Sequence, residues 1–267
     1  MRHKFKTLIF LIGFLISILP LGAFASAEAV KIDTDGIDSG VVTVAYQSSN
    51  SKNIKVMIEK GNNKYTYDLT SEGSKENFPL QMGNGDYKVS VLENISGNRY
   101  SYLKTKTVNL KLNDEDSLFL NSIQNINWNH NGAAAKKAAQ LTKDLKDDKT
   151  KVEAIYNYIV KNFSYDFAKL TNLQPGYVPD IEDTLNAKKG ICYDYASLFA
   201  SMTRSLGIPC KLIKGYAKNV TGYHAWNEVK LNGKWVVIDT TYDLQVKTKA
   251  TYTMEKNIKD YQKVCEY

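Results

Sequence analysis

Apolar and polar residues alternate with a period of two from Val30 to Leu112, the pattern of strands with one buried face. Turn-forming clusters such as Gly61-Asn62-Asn63 and Gly83-Asn84-Gly85-Asp86 separate the alternating runs. The predicted strands are Val41–Tyr46, Ile54–Ile58, Lys64–Leu69, Tyr87–Leu92 and Tyr100–Leu112. Roughly six or seven short strands at this regular spacing predict an all-β sandwich of the immunoglobulin-like or fibronectin type.

The pattern changes to helical spacing after a short acidic linker at Asn113–Ser117. The alanine-rich run Ala133–Leu145 predicts one helix. A second helix is predicted over Lys149–Phe163, because its apolar residues recur every three or four positions and so share one face. The second half of the chain therefore mixes helices with strands, and the overall fold class is α+β.

A segment without clear periodicity, 164–190, precedes a third predicted helix. Pro175-Gly176 interrupts this segment, and we expect a long irregular loop that forms one wall of a cleft. The helix is expected to begin at about Cys192 and to run to Leu206, where Gly207 ends it. Cys192 is thereby predicted to lie at a helix N-terminus.

Three strands are predicted after this helix, and the last two form a hairpin. They cover Lys211–Ala217, Tyr223–Val229 and Lys234–Thr240. Asn232-Gly233 lies between the second and the third, and this dipeptide favours a type I′ turn because both residues tolerate positive φ.

The turn fixes the register of the hairpin. With a two-residue loop, Leu231 faces Lys234, and continuation of the same register places His224 opposite Thr241. Asp239 is then the diagonal neighbour of His224 on the same face, at a Cα separation of roughly 7–8 Å. The register therefore predicts side-chain contact between an imidazole and a carboxylate.

Cys192, His224 and Asp239 supply the groups that a thiol nucleophile requires. The positive end of a helix dipole favours the thiolate of Cys192 over the thiol. A carboxylate at Asp239 would accept the Nδ1–H of His224, fix the tautomer and leave Nε2 directed at the nucleophile. The order along the chain proves little by itself, and the helix start combined with the hairpin pair makes the prediction specific.

Each of these residues also has an ordinary structural interpretation. Cys192 alone would best be read as a small buried helix residue, His224 as a hydrogen-bonded core histidine, and Asp239 as a strand-end residue that caps a turn. A zinc site is a competing interpretation, but no second Cys or His lies near Cys192 or His224 at ligand spacing. The combination favours an active triad.

Two aromatic residues are candidates for secondary roles. The hydroxyl of Tyr165 is a candidate oxyanion donor beside the Cys192 backbone N–H, with an ordinary core tyrosine as the alternative. Trp226 follows His224 closely in the chain and either walls the site or packs in the core.

The sequence resembles the transglutaminase-like superfamily in three blocks. They are Gly190-x-Cys192, His224-Ala225-Trp226 and Trp235-x-x-x-Asp239-Thr240-Thr241, within a similarity that covers about Asn131–Tyr242. The helix around Lys151–Ile159 and the pair Tyr165-Asp166 resemble the lead-in of bacterial members. The resemblance implies a papain-like α+β fold and acyl transfer through a cysteine thioester.

The fate of that thioester separates the functions left open by the sequence. An amine acceptor gives an isopeptide cross-link, as in a transglutaminase-like acyltransferase. Water gives a cysteine peptidase or amidase that hydrolyses proteins or cell-wall peptides. A third alternative is a non-catalytic cell-surface adaptor whose work is done by the β-sandwich.

The first 27 residues have the features of a secretory signal peptide. Arg2, Lys4 and Lys6 precede the apolar run Leu8–Leu19, and Ala25-Ser26-Ala27 offers a cleavage site. The predicted domains are therefore a signal peptide at 1–27, a β-sandwich at 28–112 and a transglutaminase-like catalytic domain at 113–267. An uncleaved anchor is the alternative, although the apolar run is short for a membrane span. We expect a bacterial protein that is secreted or associated with the cell wall.

Charge and cysteine content limit the partners. The formal net charge of +7 falls to +4 without the three basic residues of the signal peptide, and the basic residues are scattered rather than interleaved with aromatics. We therefore expect protein or peptide substrates, including cell-wall or surface proteins, and no nucleic acid. Cys210 is expected to be a buried thiol and Cys265 an exposed one, with a Cys210–Cys265 disulfide as the alternative. No cofactor and no metal is implied, since an Asp33–Asp38 calcium loop has an incomplete ligand pattern.

Overall fold

The structure is a computed structural model, and it describes residues 30–47, 53–69, 73–248 and 252–267. The predicted signal peptide lies outside the described residues. None of the helices within the described ranges combines the length and the apolar character that crossing a membrane requires.

The N-terminal region consists of antiparallel strands in two sheets, as its alternating pattern predicts. One sheet has the order β1-β2-β5 and the other β4-β3-β6-β7. The strands are β1 Val30–Asp33, β2 Val41–Tyr46, β3 Ile54–Lys60, β4 Asn63–Asp68, β5 Lys75–Pro79, β6 Gly85–Ser96 and β7 Arg99–Leu110.

Residues from both sheets share one core, so the two sheets pack face to face. Val42 and Phe78 of the first sheet and Val56 and Val89 of the second are all fully buried in it. Strand β5 has no alternating apolar pattern and was missing from the predicted set. The β-rich character is thus observed, and the immunoglobulin-like type stays a prediction.

The C-terminal region contains six helices and seven strands among the described residues. The helices are α1 Ala133–Thr142, α2 Asp148–Asn162, α3 Phe167–Thr171, α4 Ile181–Ala187, α5 Cys192–Arg204 and α6 Thr240–Val246. The strands are β8 Ser164–Tyr165, β9 Lys189–Gly190, β10 Cys210–Ala217, β11 His224–Leu231, β12 Lys234–Ile238, β13 Glu255–Lys256 and β14 Tyr261–Glu266.

The segment 164–190 is more ordered than the predicted loop. It contains the helices α3 and α4, each begun by an aspartate whose side chain accepts a backbone N–H of the first turn. Its two ends pair as the parallel strands β8 and β9, with Tyr165 beside Gly190. The prediction of an irregular loop was wrong because these helices are too short to show an apolar period.

A five-stranded sheet of order β13-β12-β11-β10-β14 carries α5 on one face. Helix α5 is buried along nearly its whole length, because Leu198, Phe199 and Met202 pack in the same core as Leu212 and Ala225 of the sheet. This helix is therefore held between the sheet and the other helices, which fixes the position of its first residue, Cys192.

The hairpin register is the predicted one, but the ladder is shorter. Leu231 pairs with Lys234 and the pairing continues to Asn227 and Ile238, where it stops. The expected pairing of His224 with Thr241 is wrong, because Thr241 belongs to α6. Asp239 leaves the strand to cap that helix, and its Oδ1 accepts the backbone N–H of Tyr242 at 2.9 Å.

The two regions touch through a cluster of tyrosines, and a buried arginine holds the segment that joins them. Arg204 at the end of α5 is 2% exposed and donates to the main-chain oxygens of Cys210, Asn121 and Tyr267 at 2.8, 2.6 and 2.9 Å. The Tyr267 ring also packs edge-on against Tyr65 of the N-terminal region, with centroids 5.8 Å apart. One guanidinium thereby ties the segment after the sandwich to the C-terminal sheet.

Candidate active site

Cys192 is the first residue of α5, and its position depends on the two residues before it. Ile191 is the extended N-cap residue and is almost fully buried. A Cβ on Gly190 would lie 2.9 Å from the side chain of Asp194, so only glycine fits this approach. Cys192 itself is half-buried, with access to solvent.

Asp194 holds the start of this helix and was missed in the sequence. Its carboxylate is fully buried, accepts the Ile191 backbone N–H at 2.8 Å and the hydroxyl of Tyr177, and forms an ion pair with Lys169 at 2.8 Å. The signal available in the sequence was an acidic residue in the first turn, three positions after the N-cap. Asp194 thereby joins the nucleophile helix to the segment 164–190.

The structure brings His224 and Asp239 into contact. The Nε2–H of His224 donates to Oδ2 of Asp239 at 2.8 Å, and both side chains are buried. The expected Nδ1 contact is wrong in this detail, because Asp239 approaches from the N-cap position of α6 rather than from across a ladder. Nδ1 is consequently the ring nitrogen left for the Cys192 thiol.

The surroundings of His224 favour its protonated form. Burial lowers the pKa of the imidazole, but the charge of Asp239, its hydrogen bond and the interaction with Cys192 outweigh burial and raise the pKa from 6.5 to about 10. An imidazolium can therefore persist here at neutral pH. This is the state that a thiolate–imidazolium pair requires.

Trp226 and Tyr261 support the pair from one side. The Trp226 ring stacks on His224 with centroids 6.2 Å apart, and Tyr261 packs on Trp226 at 5.0 Å. The Tyr261 hydroxyl also donates to Oδ2 of Asp239 at 3.0 Å. Tyr261 was missed because it lies on β14, far along the chain from the recognisable blocks.

Tyr165 lies close to Cys192 and lines the same cleft. Burial and the nearby Cys192 raise the pKa of its hydroxyl to about 12, and a hydrogen bond with the Cys192 backbone acts in the opposite direction. The hydroxyl is therefore adjacent to the Cys192 backbone N–H, although its role in the reaction stays a prediction.

A half-buried lysine close to the nucleophile helix is a further feature that the sequence did not reveal. The Nζ of Lys214 lies 3.5 Å from the ring centroid of Tyr193, the residue after Cys192. Burial lowers the pKa of Lys214 to about 8, while Cys265 and Cys192 oppose the shift. Lys214 is not among the residues that line the cleft.

A cleft of about 520 Å³ opens onto Cys192 and His224. Its walls come from the 164–190 segment, the turn between β10 and β11, and α6. The segment 164–190 does line the cleft, as the sequence predicted. Trp226 is not among the lining residues, so its contact with His224 is one of packing.

The three cysteines are unpaired in the described part of the chain. Cys210 is fully buried, and burial raises the pKa of its thiol to about 12. Cys265 is half-buried rather than exposed, with its Sγ 3.5 Å from the hydroxyl of Tyr223. The described residues also contain no cluster of three or more metal-ligating side chains.

Comparison with known proteins agrees with this geometry. Residues 135–240 match the model of the transglutaminase-like superfamily. This segment, less than half of the chain, is a transglutaminase-like domain.

Individual relatives are distant or partial. Kyphoscoliosis peptidase from Homo sapiens is 32% identical over 116 residues, as is its Mus musculus counterpart. That alignment covers 39% of this chain and 17% of the relative, so this chain spans less than a fifth of the length of the curated relatives. The structure of a candidate cysteine protease from Cytophaga hutchinsonii aligns over 85% of this chain and 76% of that one, with 15% identity and a TM-score of 0.46.

Proposed function

We propose that this protein is a thiol-dependent acyltransferase that acts on amide bonds through a thioester on Cys192. One observation carries the proposal. Cys192 begins α5 at the floor of a cleft, beside a histidine whose Nε2 is held by a buried carboxylate 2.8 Å away. Nucleophile, base and orienting group are the three parts of a thiol active site.

The first half-reaction forms the thioester and releases an amine. The Cys192 thiolate attacks the carbonyl carbon of the substrate amide, and the tetrahedral oxyanion forms beside the Tyr165 hydroxyl and the Cys192 backbone N–H. His224, as imidazolium, protonates the departing nitrogen while the carbon–nitrogen bond breaks. Asp239 and Tyr261 keep the ring oriented throughout.

The second half-reaction transfers the acyl group. His224, now neutral, takes a proton from the incoming nucleophile as it attacks the thioester carbonyl. An amine nucleophile gives a new amide, and collapse of the intermediate returns the Cys192 thiolate. In this proposal the chemistry needs no group beyond the side chains of the site.

A cysteine peptidase or amidase is the second candidate. The relative with 32% identity is named a peptidase, and the same side chains serve a reaction in which water attacks the thioester. The two candidates share every step up to the thioester, so only the product separates them.

The setting of the reaction is proposed from the sequence. A signal peptide at 1–27 would export the chain, and its substrates would then be proteins or peptides at the cell surface or in the cell wall. The sandwich would act as a spacer or a binding module beside the catalytic region.

The test uses the chain without residues 1–27 beside its Cys192→Ala variant. Each is incubated with a glutamine-rich protein and a tagged primary amine, and the products are read by mass spectrometry. We expect cysteine-dependent attachment of the tag at glutamine. Deamidated glutamine or cleaved chains without the tag would instead establish the hydrolase.

Two controls complete the experiment. Cys265→Ala removes a second half-buried thiol, so loss of tagging in Cys192→Ala but not in Cys265→Ala assigns the reaction to Cys192. If no product forms, alkylation of Cys192 by iodoacetamide separates a wrong substrate from an inert protein. A Cys192 that alkylates no faster than glutathione would contradict the proposed enzyme and favour the adaptor.

A further inference from the structure

Large apolar side chains stand exposed around the rim of the active-site cleft. Phe167 and Leu170 of α3 are 65% and 45% exposed, and Tyr223 in the turn before β11 is 52% exposed. All three line the cleft that contains Cys192. Exposed apolar groups gathered at a concave site mark it as a place where apolar surface is covered on binding.

The aromatic members of this rim are paired, so each ring is held in place. Phe167 packs against Tyr165 with centroids 4.9 Å apart, and Tyr223 packs edge-on against Tyr216 at 5.5 Å. The Tyr223 hydroxyl also lies 3.5 Å from the Sγ of Cys265. Little side-chain entropy remains to be lost when a substrate covers these rings.

The α3 side of the rim is anchored to the nucleophile helix. Lys169, between Phe167 and Leu170, forms an ion pair with the fully buried Asp194, and Tyr177 binds the same carboxylate. Because Asp194 also fixes the start of α5, the apolar rim and Cys192 keep a constant spacing. A substrate side chain on the rim therefore places its carbonyl in a defined position relative to the thiol.

Apart from the Cys192–His224 pair, the walls of the cleft carry no formally charged side chain. Its lining residues, all within the described part of the chain, include no Asp, Glu, Lys or Arg, and the polar ones are neutral amides and hydroxyls. A charged substrate side chain placed against these walls would lose hydration without gaining a partner.

We propose that the site selects acyl donors that carry an aromatic or large aliphatic group beside the reacting carbonyl, and that it rejects donors carrying a charged group there. The donor would be a peptide segment whose apolar side chain lies between Phe167 and Tyr223 while its carbonyl meets Cys192. This specificity rests on the proposed thiol chemistry, but it does not depend on which acceptor resolves the thioester.

The experiment measures how fast Cys192 is alkylated, without any acyl acceptor. Iodoacetamides with an N-benzyl or an N-carboxymethyl group alkylate the chain, and the rate at Cys192 is followed by peptide mass spectrometry and divided by the rate with glutathione. We expect the benzyl reagent to be favoured by roughly tenfold, the ratio that about 1.4 kcal/mol of apolar contact produces.

Variants assign the preference to the rim. Phe167→Ser and Tyr223→Ser should each reduce the benzyl-to-carboxymethyl ratio several-fold. The matched control is Ile95→Ser, which removes a side chain that is 59% exposed on the N-terminal region, and it should leave the ratio unchanged.

The outcomes separate this inference from the proposed function. One contrary outcome is that Cys192 alkylates faster than glutathione while both reagents react at the same relative rate, and another is that the rim variants keep the benzyl preference. Either result would contradict the proposed donor specificity and leave the proposed thiol active site unaffected. If Cys192 is no more reactive than glutathione with either reagent, both proposals fall.

Discussion

The His224–Asp239 contact joins two buried ionisable groups of the candidate site. Both side chains are buried, and Asp239 also accepts the Tyr242 backbone N–H and the Tyr261 hydroxyl. Since three donors converge on one carboxylate, its removal would disturb the imidazole, the start of α6 and the start of β14 together. An isosteric change at Asp239 is therefore a more informative probe than truncation.

Asp239→Asn should lower turnover while leaving the fold intact, because an amide orients the ring without stabilising the imidazolium. The stability of the two proteins should also differ with pH. The pKa of His224 is raised from 6.5 to about 10, so the stabilisation from its protonated form is full below about pH 6.5 and is lost as the pH rises towards 10. The gap in melting temperature between wild type and variant should accordingly be largest near pH 6 and shrink towards pH 10. Unchanged turnover in Asp239→Asn, or a difference in melting temperature that stays the same from pH 6 to pH 10, would contradict the role assigned to Asp239.

At the scale of elements, strand β14 is the part of the site that lies furthest along the chain from Cys192. It pairs with β10, with an irregularity between Lys214 and Gly215. A Cβ on Gly215 would lie 2.1 Å from the carbonyl oxygen of Gln262 and 2.9 Å from the Trp226 ring. The glycine thus permits the close approach that brings Tyr261 to Asp239.

Gly215→Ala should push β14 away from β10, destabilise the protein by about 1–3 kcal/mol and reduce turnover. Chemical denaturation and the alkylation rate of Cys192 measure the two effects. Gly61→Ala is the comparison, since a Cβ there meets no atom within 4 Å and costs only the strain of its φ of +57°. The prediction would be contradicted if Gly215→Ala lowered the free energy of unfolding no more than Gly61→Ala and left the alkylation rate of Cys192 unchanged. The backbone near Gln262 would then move aside at no measurable cost.

The sequence predicts those elements whose determinants are local. The hairpin register followed from Asn232-Gly233, and both residues do adopt positive φ, at 50° and 75°. The start of α5 at Cys192 followed from the helix pattern and its glycine stop. In contrast, the change of Asp239 from strand end to helix cap, and hence the use of Nε2 rather than Nδ1, depends on α6 packing against α2. Tyr261 and Lys214 depend on strand pairing between distant segments, for which the sequence carries no local signal.

At the scale of the whole molecule, the N-terminal sheets and the catalytic region form a shared interface. Phe119, whose side chain lies in the core of the N-terminal sheets, packs edge-on against Trp235 at 5.4 Å, and Gln81 donates to the carbonyl oxygen of Glu266 at 3.3 Å. Arg204 binds the main-chain oxygen of Asn121, which follows Phe119 closely, and that of Tyr267. The Arg204 guanidinium is fully buried, which lowers its pKa to about 10. We therefore expect the two regions to unfold together.

Arg204→Met should uncouple them, because it releases Asn121, just after the Leu118–Phe119 segment that packs in the N-terminal core, and leaves three main-chain oxygens without their donor at a cost of roughly 3 kcal/mol or more. The three tryptophans all lie after residue 112, so their fluorescence reports on the catalytic region while circular dichroism reports on both. The two signals should coincide in the wild type and separate in the variant. Arg204→Lys should restore little of the coupling between the two unfolding transitions, since one ammonium cannot reach all three main-chain oxygens. Coincident transitions in Arg204→Met would mean that the aromatic contacts alone join the regions.

Strand β14 connects the interface between the two regions to the active site. Near its end, the backbone of Glu266 is hydrogen-bonded to Tyr65 and Gln81 of the N-terminal sheets, and at its start Tyr261 reaches the carboxylate of Asp239. Tension that draws the two regions apart is therefore carried along this edge strand. Peeling it from β10 would withdraw the Tyr261 hydroxyl while α5 and Cys192 stay seated on the remaining strands, so a stretched molecule would keep its nucleophile and lose part of the support of its histidine.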